Sequence, residues 1–175
     1  MRKVSLSITL LLCTFLASCY HLGVPGGSKN VQIGDIINRT SEPSLGGLMS
    51  QCLANEICSR PSLKAANAAR FTVDVRIVGM GNSSQARSEV RIKKARDKNS
   101  DAYQTVLHRL TVKVEYSVID ESGKALFKSK VTGQASVPLM HDREVALRTA
   151  RRQAVLDAAR QIADALADNG DKLIN

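Results

Sequence analysis

Residues 107–137 read LHRLTVKVEYSVIDESGKALFKSKVTGQASV, and the alternation within them decides the fold. Leu110, Val112, Val114, Tyr116 and Val118 fall on one side of an extended chain; Arg109, Thr111, Lys113, Glu115 and Ser117 fall on the other. Side chains of a strand point alternately to opposite faces, so the spacing predicts a strand over 107–119 with one face buried and one in water. Asp120 to Lys124 is a short polar turn containing Gly123, which suits a hairpin. The return strand, over 125–137, sets Phe127, Val131, Ala135 and Val137 against Lys128, Lys130, Thr132, Gln134 and Ser136, and Pro138 ends it.

Working outward, Phe71, Val73, Val75 and Ile77 alternate with Thr72, Asp74 and Arg76, which predicts another half-buried strand. Residues 79–103 are the most polar part of the chain; Val90 and Ile92 alternate with charged residues there, so both a loop and a hairpin extension fit. Upstream, Val31 to Ile37 is rich in β-branched residues and reads as a first strand. Asn38 to Pro43 supplies turn and helix-start chemistry, and a helix follows from about Ser44 to Cys58. Leu45, Leu48, Met49, Cys52, Leu53 and Ile57 recur on one face of it, as packing on a core requires. Downstream, Asp142 is a candidate cap for a last helix in which Leu147, Ala150, Ala154, Ala158, Ile162 and Leu166 step by three or four, and Gly170 marks its end. That helix is alanine-rich and able to approach a sheet closely. The order β-α-β-β-β-α predicts an α+β two-layer sandwich, with two helices on one face of a four-stranded sheet.

The N-terminus carries a different signal. Arg2 and Lys3 precede an apolar stretch from Val4 to Phe15, and Leu16-Ala17-Ser18 leads into Cys19. A positive start, a short apolar core and small residues at the cut describe a secretory signal peptide rather than a membrane span. Leu-Ala-Ser-Cys also resembles the lipobox of bacterial lipoproteins, which implies cleavage before Cys19 and lipidation of its thiol. Residues 1–18 are thus expected to be a lipoprotein signal peptide, 19–29 a lipidated N-terminus and flexible tether, and 30–175 a single α+β domain. The mature chain would keep 23 basic and 16 acidic residues, a surplus that suits an anionic partner. Export argues against nucleic acid, and no aromatic residue is interleaved with a basic run.

Catalytic and metal chemistry find no support in the residue pattern. His21, His108 and His141 have no nucleophile partner in a known motif, and no paired-cysteine or His-x-x-x-His spacing occurs, so neither cofactor nor metal is expected. Cys52 and Cys58 could pair only if the helix ended before Cys58, because six helical residues span about 9 Å; buried thiols are the other reading. What remains are two basic surfaces: the cluster Arg87, Arg91, Lys93, Lys94, Arg96 and Lys98, and the polar sheet face with Lys113, Lys128 and Lys130. Both fit capture of anionic lipid phosphates by charge-assisted hydrogen bonds, and both also fit a solvated face.

Three features together resemble the lipopolysaccharide-assembly lipoprotein family, LptE. Cys19-Tyr20-His21-Leu22 is similar to the start of that family's mature chain, although the glycine usual after the cysteine is missing. Asn38-Arg39-Thr40-Ser41-Glu42-Pro43-Ser44-Leu45 resembles its strand-to-helix junction, and the element order with a long last helix matches its fold. The resemblance implies an outer-membrane lipoprotein without enzymatic activity. Such a protein plugs and helps assemble the LptD β-barrel, binds lipopolysaccharide and takes part in delivering it to the cell surface. Another envelope lipoprotein of similar fold, such as a peptidoglycan-synthase activator or a curli-type secretion subunit, would begin in the same way.

Overall fold

In the computed structural model the alternation of 107–119 becomes the centre of the molecule. Residues 28–90, 102–138 and 143–169 are described, and within them 86–90, 102–106 and 138 by backbone alone. The elements are β1 (Lys29–Asn38), α1 (Leu45–Cys58), β2 (Leu63–Ala65), β3 (Phe71–Val90), β4 (Ala102–Asp120), β5 (Ala125–Pro138) and α2 (Arg143–Asp168). They make one sheet in the order β2-β1-β3-β4-β5, with α1 and α2 together on one face. β1 runs parallel to both neighbours, while β3, β4 and β5 form an antiparallel meander. On β4 every second residue from Leu110 to Val118 is at most 4 % exposed, and the residues between them face away from the helices.

The sheet has five strands, not the expected four. The extra strand, β2, is three residues long, too short to show alternation in sequence. It is held beside β1 by Lys29 N–H donating to the Ser62 carbonyl (2.9 Å), by Ala66 N–H donating to Val31 (3.0 Å), and by burial of Leu63. The polar stretch after Ile77 is also strand: β3 stays paired with β4 as far as Val90↔Ala102. β1 leaves β3 at Asn38↔Ile77 and β5 leaves β4 at Leu107↔Pro138. A two-stranded ribbon therefore projects past the rest of the sheet. Arg87, Ser88 and Glu89 pair there with Thr105, Gln104 and Tyr103, a run of residues with no core pattern in sequence.

The junction of β1 and α1 is built by side chains. Asn38 Oδ1 accepts from Thr40 N–H (3.0 Å) and Thr40 Oγ1 (2.8 Å), while its Nδ2 donates to the Glu42 carbonyl (2.7 Å). Ser44 precedes the helix without a capping bond, so the turn rather than a cap sets where α1 begins. Glu42 then reaches Arg151 of α2 (3.2 Å), a guanidinium that also lies 3.7 Å from Glu144. The far end of α1 is tied to α2 by Arg60, which bonds Glu56 (2.8 Å) and Asp164 (2.6 Å).

α2 buries alanines at 150, 154, 158, 159 and 163 together with Val155, Ile162 and Leu166, a wider stripe than the three-and-four spacing gave. The small side chains let its backbone down onto β5. A Cβ at Gly133 would collide with the Ala154 carbonyl oxygen and lie 2.8 Å from the Ala158 nitrogen, so only glycine fits. At that depth Asp157 accepts from Gln134 N–H (2.9 Å) and Gln161 donates to the Thr132 carbonyl (3.2 Å). Two side chains thus occupy edge groups that would otherwise invite a foreign strand. Opposite, the turn after β4 closes on Asp120, whose carboxylate accepts from Ser122 Oγ and from the Ser122 and Lys124 amides. Those bonds, the one from the Ser122 hydroxyl foremost, hold it below the usual carboxylate range.

Two outcomes are expected from this packing. Gly133→Ala should destabilise the domain by about 3 kcal/mol or more in denaturant unfolding, because the obstacle is helix backbone and cannot rotate away. A double-mutant cycle of Glu42→Gln and Arg151→Gln should give a coupling of about 1 kcal/mol, as the pair is three-quarters buried and joins distant segments.

Candidate functional site

The face of the sheet away from the helices is open, and the register fixes what it presents. Ile37 of β1 stands beside Arg76 of β3, Arg76 beside Glu115 of β4, and Glu115 beside Lys130 of β5, one row across four strands. Lys130 meets Glu115 at 2.7 Å and, with Arg76 and Arg39 more distant, holds that carboxyl below the usual carboxylate range. Lys130 is therefore partly neutralised. In the adjacent rows Lys113 lies between Gly79 and Thr132, and Lys128 lies beside Ser117; both side chains are exposed and form no ion pair among the described residues. Arg109, between Ser83 and Ser136, continues the line toward the ribbon.

Lys113, Lys128 and Lys130 thus share one surface, as the alternation implies. The surface is not purely basic. Asp74 lies within it, its Oδ1 accepting from Asp35 N–H (3.1 Å) where β1 bulges at Gly34. Ile37 and Val78 are 44 % and 39 % exposed. Arg76 was legible in the alternation of 71–77. Val78 is in phase with Arg76, although its residue type alone suggests burial.

The second basic group begins on β3. Arg87 belongs to β3 opposite Thr105, eight residues along β4 from Lys113, or roughly 27 Å of strand. Its side chain, and Arg91, Lys93, Lys94, Arg96 and Lys98 altogether, lie outside the described residues, as does Cys19. By topology the cluster belongs to the connection between β3 and β4. Of that cluster the described residues include the Arg87 backbone alone.

The cysteines are unpaired, but one alone is a buried thiol: Cys52 lies in the core, where desolvation above all raises its thiol pKa, whereas Cys58 is exposed at the end of α1. Among the described residues no three potential ligands converge on a metal position, and no helix is long and apolar enough to cross a membrane. What the open face offers is a shallow, mixed-charge, net cationic surface with two exposed aliphatic side chains. It can hold anionic groups beside apolar ones.

Comparison with known proteins agrees with this architecture. No curated protein matches the sequence. Among solved structures, a hypothetical protein from Chlamydia trachomatis superposes with a TM-score of 0.56 at 11% identity, over 85% of this chain and 99% of that one. A protein from Xanthomonas campestris does so with 0.55 at 7% identity, over 83% and 87%. The rare lipoprotein B from Shewanella oneidensis is similar at 15% identity over 82% and 99% of the chains, with a TM-score of only 0.43. At such identities the first two show the fold alone, and the third carries no argument. The family comparison is more specific: the model of the lipopolysaccharide-assembly family LptE matches residues 28–169, from the first residue of the described domain to its last. The chain belongs to the LptE lipopolysaccharide-assembly family.

Proposed function

We propose that the protein is an envelope lipoprotein, held by lipid on Cys19 at the periplasmic face of the outer membrane. There it plugs and helps assemble an LptD-like β-barrel, and so takes part in moving lipopolysaccharide to the cell surface. The observation that carries this reading is family membership over the whole described domain. The lipobox-like Leu16 to Cys19 supports the anchor. The Asn38–Glu42 turn gives the family-like junction a physical role, since it sets the start of α1 and delivers Glu42 to α2.

The role is one of binding and positioning, without catalysis. A two-layer domain with one uncovered, mixed-charge face suits contact with a polar lumen wall and with phosphorylated lipid together. Arg and Lys there supply charge-assisted hydrogen bonds to phosphate, and Ile37 and Val78 supply apolar contact. On this reading Lys113, Lys128 and Lys130, and the cluster from Arg87 to Lys98, are two separate candidate contacts with lipopolysaccharide.

Two experiments test it. Purification of the lipidated chain in mild detergent should recover an outer-membrane β-barrel in stoichiometric amount; recovery of a penicillin-binding protein, or of no partner, would sink the proposal. Charge reversal at Lys93 and Lys94 should weaken lipopolysaccharide binding without altering thermal unfolding, and unchanged binding would remove that cluster.

A further inference from the structure

The chain enters the sheet at Lys29, so the N-terminal residues leave from the end where β1, β2 and β3 begin and β4 turns into β5. Four cationic residues gather at that end: Lys29 opens β1, Lys64 lies in β2 opposite Asn30, Arg70 precedes β3, and Lys124 closes the β4–β5 turn. Between the start of β1 and the segment leading into β3 is an open groove of about 640 Å³. Lys29 and Arg70 line it, Asn30, Gln32 and Asn67 add amide groups, and Glu121 is its acid.

The groove is arranged to receive an anion. Lys29 makes no ion pair among the described residues. The Arg70 guanidinium is 6.0 Å above the Phe71 ring, and it is 3.9 Å from Glu121 across a contact in which both side chains are mostly exposed. Solvent screens so long and open a pair, which leaves Arg70 available to a better partner. A planar guanidinium beside an ammonium and amide donors matches a phosphodiester.

We propose that this groove takes the phosphate headgroup of an anionic phospholipid and seats the domain on the membrane that holds its own lipid anchor. The inference rests on the reading that Cys19 is lipidated. Ten Cα-to-Cα steps lead from Cys19 to Lys29, so the groove can be no more than about 35 Å from the anchored cysteine. Within that radius headgroups are the most abundant phosphates, and basic groups beside a lipid anchor strengthen membrane attachment.

The test uses the mature chain, residues 19–175, with Cys19→Ser, so that no acyl chain contributes. Its flotation with vesicles of phosphatidylethanolamine and phosphatidylglycerol is compared with flotation on phosphatidylethanolamine alone. The chain should bind the anionic vesicles; Lys29→Glu with Arg70→Glu should weaken binding at least about tenfold, and reversal of two exposed helix cations, Arg143→Glu with Arg148→Glu, less than about twofold. The neutral pair Lys29→Gln with Arg70→Gln, checked by thermal unfolding, should show an intermediate loss and guards against misfolding. Equal losses from the two charge-reversed pairs, equal binding to both vesicles, or no binding to either would overturn the proposal. So would release by inorganic phosphate beyond that caused by sodium chloride at matched ionic strength, which would mark a site for free phosphate. Mass spectrometry of Cys19 in the native membrane fraction decides separately whether the anchor reading itself fails.

Discussion

The descent of an alanine-lined helix onto a single glycine of β5 is the contact from which the other interactions take their positions. Because Ala154 and Ala158 sit against Gly133, α2 lies low enough for Asp157 and Gln161 to bond the edge of β5. The same placement brings Arg151 to Glu42 at one end of α1 and Asp164 to Arg60 at the other. A bulkier residue at 133 would lift the helix and stretch all three ties at once. Small side chains here substitute close approach for volume, which accounts for a core assembled with so few aromatic rings.

Much of this was legible, and the limits have physical causes. The alternation of 107–119 and 125–137 gave the central hairpin with its faces, and the six apolar positions of 45–57 gave α1. Both have one wet side and one dry side, which is the condition under which periodicity appears. β2 was missed because three residues cannot display a period. The stretch beyond Ile77 reads as loop or strand alike because its sequence sets no apolar side against a polar one, and the strand there is defined by backbone pairing. Lys113, Lys128 and Lys130 were correctly put on one face, yet sequence spacing could not show that Glu115 would partly neutralise Lys130 or that Ile37 would stand in the same row. The cysteines turned on where α1 ends. It runs to Cys58 itself, which keeps the two thiols apart.

The domain is polarised along its strands. At one end the chain arrives through Lys29, next to Arg70, Lys64 and Lys124; at the other the β3–β4 ribbon leaves the layer and leads into the most basic stretch of the sequence. The helices cover one face and leave a mixed-charge surface between these ends. A family whose work is lipopolysaccharide assembly has use for such a shape, in which attachment, contact and reach belong to different parts of one small sheet.

The position of β1 has a consequence for the order in which the protein folds. It is the first strand in the chain, yet it lies inside the sheet, between β2 and β3, and its parallel pairing with β3 must span the whole of α1. The meander from β3 to β5 is made of neighbours in sequence, and the loops that close it cost less entropy than the crossover. The late strands therefore form the template, and the earliest joins after them. β2 pairs with β1 alone, so it cannot dock before β1 does, and the whole far side of the sheet waits on the crossover through α1.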